Sequence, residues 1–272
     1  MVSEQADAKN RAFYEEYWSS SFGLRQRLWR AWWDDGYRTI LDWAGDLRQR
    51  RVLNVFAGHG EDARWLHEHG ATVVALDFAR SGLQHLRDMP GHAVLPLCAD
   101  AARIPCRDGS FDLVFVINGL CHTDKSAVLA ECQRVLAPGG RILLLDPMRW
   151  PHLAILARLL DPFFWRAPHR FLSVGELHRL ARSFPLLRHQ QFLCLSVVTA
   201  IVQRLLPKSR LVARLHAAVT RFDLRLLRWI PILRRIGYLC AAEFGGRDAV
   251  PVAGKLGGAK LVRAKLVDDR RT

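Results

Sequence analysis

The chain has 272 residues, half of them hydrophobic, and a mean hydropathy close to zero. This composition is typical of a globular protein and excludes a disordered one, and the length suits one domain with elaborations. The net charge of +14 favours an anionic partner such as nucleic acid, anionic lipid or an acidic acceptor, with an arginine-rich genome as the alternative explanation.

Residues 10–47 are predicted to form two helices rich in aromatic side chains. Ser19, Ser20, Ser21 and Gly23 mark a break between them. Most of these aromatic residues are expected to pack on the domain, because large apolar side chains are usually buried. Tyr14 and Tyr17 are the ones expected to face a ligand, since a phenol combines an apolar body with a polar tip.

A strand, a glycine-rich turn and a helix follow in one continuous stretch. Residues 52–55 are apolar apart from Asn54, the turn contains Gly58 and Gly60, and a helix is predicted from Glu61 to His69. Glycine permits a tight turn and a close approach of a ligand to the backbone. Such a unit begins the nucleotide-binding half of doubly wound α/β folds, although glycines at a turn also serve chain reversal alone.

Four further strands are predicted after this unit. The second strand, over residues 72–76, is followed by Asp77, and the third, over residues 93–98, is followed by Asp100. The fourth strand covers residues 111–116 and precedes a helix that is closed by the run RVLAPGGR. The fifth strand covers residues 142–145. A carboxylate at the tip of the second strand can accept hydrogen bonds from both ribose hydroxyls of a nucleoside.

In this order and spacing, residues 37–148 resemble the class I methyltransferases that use S-adenosylmethionine. The pairing of FDLV with RVLAPGGR is the most specific part of the resemblance. It implies an α/β fold with a Rossmann-like, seven-stranded sheet, helices on both faces, an N-terminal helical cap and a helical insert before the last strand. The expected units are a cap over 1–47, the cofactor core over 48–148, an acceptor wall with strands six and seven over 149–244, and a flexible basic tail over 245–272.

The resemblance also assigns the residues that bind S-adenosylmethionine. Asn54 stands where the family has an acid, and Phe56 stands where it has the first glycine of the loop. Ala57, Gly58 and Gly60 would approach the methionine half. The remaining cofactor contacts are assigned to Asp77 for the ribose, Phe78, Asp100 and Ala101 for the adenine, and Asn118 beside the transferable methyl group. No metal site is predicted.

A general base is needed only if the acceptor keeps its proton, as a hydroxyl does, and histidine is the usual base near neutral pH. His122 is the first candidate because the segment Asn118–His122 faces the methyl group in the family. His152 and His169 are second candidates, since the segment that carries them is expected to wall the acceptor pocket. Each of the three imidazoles has a purely structural role as its alternative.

The second half of the chain departs from the core pattern. Ser173 and Glu176 form a predicted capping box, and its helix is expected to run to about Phe184. A sixth strand is predicted over 187–196, helix over 203–235 with Pro231 as its end or kink, and an antiparallel last strand over 237–244.

The predicted helix over 203–235 is unusually basic. Residues 203–240 contain nine lysines and arginines against one acid, Asp223. At about 100° per residue the arginines 210, 214, 221, 225 and 228 share one stripe, and an apolar face lies beside it. This pattern fits an anionic membrane surface, and it fits equally a helix that packs its apolar face on the core.

The sequence predicts methyl transfer to a small-molecule, glycan or lipid-linked acceptor, most simply O-methylation with a histidine base. The alternatives are an RNA methyltransferase, which the charge favours and the missing Asn-Pro-Pro motif disfavours, and a non-catalytic partner protein, which Asn54 and Phe56 would explain. Nucleic acid is therefore not the favoured partner, and the oligomeric state is left open.

The cellular setting is expected to be the cytoplasm, with peripheral contact at the inner face of the membrane. The six cysteines form no CxxC pair and mostly lie in apolar runs, as in a reducing compartment. Acids occupy the N-terminal stretch where a secretory signal would be basic and then apolar, and no apolar run approaches the ~20 residues that span a bilayer.

Overall fold

The apolar runs of the sequence form one seven-stranded sheet with the strand order 3-2-1-4-5-7-6. The structure is a computed structural model, and it describes residues 11–16, 33–87, 94–149, 170–192, 195–206 and 209–246. The strands are β1 Arg51–Val55, β2 Thr72–Asp77, β3 Val94–Cys98, β4 Phe111–Ile117, β5 Leu136–Pro147, β6 Leu186–Phe192 and β7 Leu239–Gly245.

Helices lie on both faces of this sheet. They are α1 Asp34–Ala44, α2 Glu61–Glu68, α3 Arg80–Arg87, α4 Lys125–Val135, α5 Val174–Ser183, α6 Leu195–Leu205 and α7 Arg210–Trp229. A separate helical segment covers residues 11–16. The predicted capping box is present at α5, where the Ser173 hydroxyl accepts the Glu176 N–H and the Glu176 carboxylate accepts the Ser173 N–H.

Strands β1 to β5 are parallel, and the chain reverses its direction of travel across the sheet between β1 and β4. Val55 pairs with Leu76 of β2 on one side and with Val116 of β4 on the other. The carboxyl ends of these strands therefore meet at one edge. In open α/β sheets a ligand binds in the crevice that opens at this reversal point.

Strand β7 is antiparallel and lies between β5 and β6, as the sequence predicts for a last strand beside the fifth. It carries Glu243, whose carboxylate is buried and accepts hydrogen bonds from Arg141 of β5 and Arg188 of β6. A buried carboxylate needs such partners, because desolvation of an unpaired charge is costly. Glu243 thus connects the three strands that close this side of the sheet.

Four sequence-based boundaries are wrong. The fifth strand is longer than predicted, because it begins at Leu136 within the run RVLAPGGR and ends at Pro147. The sixth strand ends at Phe192, and Ser196 belongs to α6, where its N–H donates to the buried Asp223 carboxylate. The predicted helix over 203–235 is two helices, because α6 ends at Leu205 and α7 begins after a Ser209 cap. Gly245 belongs to β7 and not to a tail. Residues 247–272 lie outside the described residues.

Helices α6 and α7 form a hairpin inserted between β6 and β7. Phe192, at the end of β6, pairs with Leu239 at the start of β7, and Leu239 also pairs with Pro147 at the end of β5. The hairpin therefore leaves the sheet at the same edge as the carboxyl ends of the parallel strands. Among the described helices, none is long and apolar enough to cross a membrane.

Candidate active site

The turn after β1 is held in a conformation that favours glycine. Phe56, Gly58 and Gly60 have positive φ angles of 60°, 51° and 74°. A Cβ on Gly60 would overlap Leu86 of α3, and a Cβ on Gly82 of α3 would lie 2.7 Å from the Gly58 carbonyl oxygen. The glycines therefore serve two purposes, since they permit the turn and let α3 pack closely against it.

Asp77, at the tip of β2, fixes this turn from the neighbouring strand. Its carboxylate accepts the Gly58 N–H at 2.8 Å and the Ala79 N–H at 2.9 Å, and the side chain is buried. Burial raises the pKa of Asp77, the two backbone hydrogen bonds oppose that shift, and the nearby Glu15 charge adds to it. Each carboxylate oxygen can accept a second hydrogen bond, so ribose hydroxyls can still bind there.

Phe56 stands where the methyltransferases that the sequence resembles have the first glycine of the loop, and Gly119 makes room for its ring. Gly119 follows β4, and a Cβ there would overlap the Phe56 ring. The Gly119 φ of −141° is accessible to any residue. Glycine is thus required at 119 by the neighbouring ring and not by the backbone. The Phe56 ring in the turn after β1 thus fills the space that a side chain at position 119, in the loop after β4, would occupy.

Asp146 of the neighbouring strand β5 fixes the loop after β4 by hydrogen bonds. This carboxyl lies near the end of β5, is fully buried, and accepts the N–H groups of Gly119 and Leu120, both at 3.1 Å. Burial raises the pKa of Asp146 to about 8, although Lys125 and the backbone N–H groups lower it. The group is therefore largely a neutral acid near pH 7.

The helical segment 11–16 covers the ends of β2 and β4. The Glu15 carboxylate accepts the N–H groups of Arg80 and Ser81, at 2.7 and 2.9 Å, at the start of α3. Burial would raise the pKa of Glu15, but these hydrogen bonds hold it below its ordinary value. An acid here satisfies N–H groups that a helix leaves without partners in its first turn.

Tyr14 and His122 meet between this segment and the loop after β4. The Tyr14 hydroxyl lies 2.7 Å from Nε2 of His122, and the two rings are in an edge-on contact at 5.3 Å. The Tyr14 ring also contacts Phe78 edge-on at 5.7 Å. Both the expected ligand-facing tyrosine and the first histidine candidate therefore lie at the carboxyl edge of the sheet, beside the residue that follows Asp77.

The other predicted site residues have varied surroundings. Asn54 is fully buried in β1, and neither polar atom of its side chain has a hydrogen-bond partner among the described residues. Ala57 and Ala101 are buried, whereas Asp100 and Asn118 are exposed, and Asp100 accepts the Ala102 N–H at 2.8 Å. Tyr17, His152 and His169 lie outside the described residues.

Several residues of this edge are absent from the sequence-based assignment: Glu15, Gly82, Gly119 and Asp146. Asp146 had a readable signal, because an acid follows an apolar strand there just as Asp77 and Asp100 follow theirs. Gly119 lies in the expected segment without a role of its own. Glu15 had no signal, since its partners are 65 and 66 residues away in the chain.

Comparison with known proteins agrees with this geometry. A family profile described as a methyltransferase domain matches residues 53–144, from β1 to β5. The part of the chain from β1 to β5 is therefore similar to methyltransferase domains. A solved S-adenosylmethionine-dependent methyltransferase from Mesorhizobium loti superposes with a TM-score of 0.54 at 17% identity, covering 77% of this chain and 96% of that one, which shows the shared fold.

Two sequence relatives extend the comparison of the methyltransferase domain. The demethylmenaquinone methyltransferase of Thermus thermophilus is 38% identical over 132 residues, which are 46% of this chain and 56% of that protein. The ubiquinone/menaquinone biosynthesis C-methyltransferase of Serratia proteamaculans is 34% identical over 167 residues, which are 58% of this chain and 61% of that protein. The chain thus spans little more than half the length of these relatives.

The first prediction concerns the contact between Phe56 and Gly119. Gly119→Ala should destabilise the fold by about 1–3 kcal/mol, because the added methyl group overlaps the ring and overpacks the loop. In a Phe56→Gly background, the same Gly119→Ala change should cost much less, because the ring that the methyl group meets is gone. Urea unfolding measures both, and Gly175→Ala, where a Cβ meets nothing closer than 4.0 Å, is the matched control. Additive losses in the double variant would contradict the pairing.

The second prediction concerns the neutral state of Asp146. The pKa of the Asp146 carboxyl group is higher in the folded state than in the unfolded state. The stability that this group contributes is therefore greatest below its unfolded pKa, and it is lost as the pH rises towards 8. Relative to Asp146→Asn, the free energy of unfolding of the wild type should fall by about 1.4 kcal/mol per pH unit between about pH 5 and pH 8. The asparagine oxygen can accept the same two N–H groups. Parallel stability curves from urea unfolding would show that folded Asp146 is ionised.

Proposed function

We propose that the protein transfers a methyl group from S-adenosylmethionine to a small-molecule acceptor that carries a hydroxyl group. The observation that supports this most is the grouping of the Asp77-fixed glycine turn, the ring of Phe78 and the Tyr14–His122 pair at one edge of the sheet. In this proposal residues 48–148 form the cofactor core and 149–244 supply the acceptor wall.

The residues at this edge fit S-adenosylmethionine. Asp77 can accept the ribose hydroxyls, Phe78 offers an aromatic face for the adenine, and Asp100 is exposed near the end of β3. Asn54 offers a buried amide whose polar atoms have no partner among the described residues, which is consistent with a ligand or water in contact with it. Bound here, the cofactor supplies a methyl group already activated by its sulfonium charge.

In this proposal His122 acts as the general base. Its Nε2 atom lies beside the Tyr14 hydroxyl, so an acceptor hydroxyl that takes the place of this phenol would lie within hydrogen-bonding distance. His122 would take the acceptor proton as the oxygen becomes the nucleophile. The displaced Tyr14 and the rest of segment 11–16 would still cover the reacting groups and exclude water from them.

O-methylation is the simplest product of such an arrangement, because the deprotonated oxygen is itself the nucleophile. Methylation of an aromatic carbon is the second candidate, and the two quinone-pathway relatives favour it. The same base serves both, since removal of a phenolic proton also raises the electron density on the ring carbons. Mass spectrometry of the product with a labelled methyl group, followed by cleavage with hydriodic acid, distinguishes an O-methyl group, which is released as methyl iodide, from a C-methyl group, which is retained.

The third prediction tests the cofactor site. Calorimetric titration with S-adenosylhomocysteine should give micromolar binding, and Asp77→Ala should weaken it at least about tenfold, because charge-assisted hydrogen bonds are lost. Thermal unfolding of the variant without ligand separates this effect from loosening of the glycine turn. Asp46→Asn, at an exposed acid distant in the chain, is the matched control. An absence of binding by the wild type would favour the non-catalytic protein.

The fourth prediction separates the base from the cofactor site. His122→Ala should lower kcat by about 10²–10⁴-fold and leave the affinity for S-adenosylhomocysteine within threefold of the wild type. Tyr14→Phe should lower kcat less, because the imidazole remains. The acidic limb of the pH–kcat profile should disappear in His122→Ala and persist in Tyr14→Phe. An unchanged kcat in His122→Ala would assign the proton transfer to another group or to solvent.

A further inference from the structure

Helix α7 is oriented in the opposite way from that expected of an amphipathic surface helix. Its fully buried residues are His216, Asp223 and Leu227, of which two are polar. Its large apolar residues Leu211 and Trp229 are 77% and 75% exposed. A helix that packs on a core normally shows the reverse pattern. The packing explanation of the apolar face is therefore wrong.

A buried polar network fixes this orientation. His216 contacts Asp35 of α1 through Nε2 at 3.4 Å and Thr199 of α6 through Nδ1 at 2.9 Å. The Thr220 hydroxyl donates to the other Asp35 oxygen at 3.1 Å, and Asp223 accepts the Ser196 N–H at 2.9 Å. Buried hydrogen bonds need exact partners, so the network determines which side of the helical hairpin faces the domain.

The outward side of the hairpin is the main exposed apolar surface in the described parts of the chain. Of the eleven large apolar side chains exposed there, ten lie between residues 198 and 232. They are Val198, Val202, Leu205, Leu206, Leu211, Leu215, Phe222, Trp229, Ile230 and Ile232. Exposed apolar side chains concentrated in one segment in this way are typical of an interaction surface.

Arginines lie directly beside this apolar patch. At about 100° per residue, the exposed arginines 210, 214, 221, 225 and 228 cover an arc of roughly 60°, and the apolar side chains cover the next arc of roughly 80°. Both arcs point away from the domain. Helix α7 contains one acid, Asp223, and that acid is buried. The outward face therefore combines apolar bulk with an uncompensated positive charge.

We propose that this hairpin face binds the surface of a bilayer that contains anionic phospholipid, with α7 lying in the interfacial plane. The apolar stripe would enter the acyl boundary while the arginines contact lipid phosphates. A second copy of the chain fits less well, because a symmetric contact would bring the two arginine stripes together. Nucleic acid would use the arginines but leave the aliphatic side chains in water.

The position of the hairpin gives this contact a consequence for the rest of the molecule. The hairpin leaves the sheet between Phe192 and Leu239, at the edge that also carries the glycine turn and His122. The hairpin that carries the proposed bilayer contact therefore begins and ends at the edge that is proposed to receive the acceptor. The bilayer inference itself stands on the hairpin alone and does not depend on methyl transfer.

Co-sedimentation with vesicles tests the inference without cofactor or acceptor. The purified full chain is mixed with vesicles of phosphatidylcholine, or of phosphatidylcholine and phosphatidylglycerol in equal parts, over a range of salt. We expect binding to the mixed vesicles, weaker at high salt, and little binding to phosphatidylcholine alone. Leu211→Ser/Trp229→Ser and Arg221→Glu/Arg225→Glu should each weaken binding on the order of tenfold or more.

Matched substitutions away from the hairpin serve as controls. Leu95→Ser removes a comparably exposed apolar side chain on β3, and Arg64→Glu reverses an exposed charge on α2. Both should bind like the wild type. No vesicle binding at any salt, or equal losses in the controls, would overturn the inference. A dimer that forms without lipid and that dissociates in Leu211→Ser/Trp229→Ser would overturn the inference in favour of a second copy. RNA binding without vesicle binding would overturn it in favour of nucleic acid.

Discussion

The candidate site depends on one carboxylate that joins two strands. Asp77 ends β2, and its hydrogen bonds to Gly58 and Ala79 fix the turn after the neighbouring β1 and the start of the segment after β2. A strained turn with three positive φ angles needs such an external acceptor, because its own N–H groups cannot all pair locally. Asp77 makes this turn rigid before any ligand arrives, which lowers the entropic cost of binding.

A second carboxyl repeats the arrangement three strands away in the sheet. Asp146, at the end of β5, accepts two N–H groups of the loop after β4, and burial keeps it largely neutral near pH 7. The turn that carries Phe56 and the loop that carries Gly119 are thus each held by an acid from an adjacent strand. Because both loops are anchored, the close fit between the Phe56 ring and Gly119 can persist, and the missing family glycine is accommodated by repacking.

The sequence predicts features that depend on neighbours along the chain. The Ser173 capping box, the end of α7 before Pro231 and the antiparallel last strand are confirmed because local hydrogen bonding, the missing proline N–H and apolar runs specify them. The seven-stranded fold is confirmed as well. Tyr14 lies beside His122 at the carboxyl edge of the sheet, and its ligand-facing position and the roles of both residues remain predictions.

The features that sequence reasoning missed depend on partners far away in the chain. Glu15 caps α3 across 65 residues, and no local pattern announces such a pairing. The orientation of α7 was undecided for a related reason. Its apolar stripe is the stronger periodic signal, yet the face that packs inward is chosen by Asp35, which lies 185 residues before its partner Thr220. Periodicity identifies the faces of a helix, and only the partners decide which face is buried.

That choice of faces has an energetic basis. Turning the apolar stripe of α7 inward would bury aliphatic surface, but it would also expose His216 and Asp223 and leave Asp35 buried without its partners. Leaving a carboxylate buried without partners is costly, and the observed orientation avoids that cost. The polar network therefore keeps the hairpin in the orientation that exposes its leucines and arginines together. This orientation leaves apolar side chains in contact with water, which is unfavourable. Contact with a bilayer would bury those side chains and remove the unfavourable contribution.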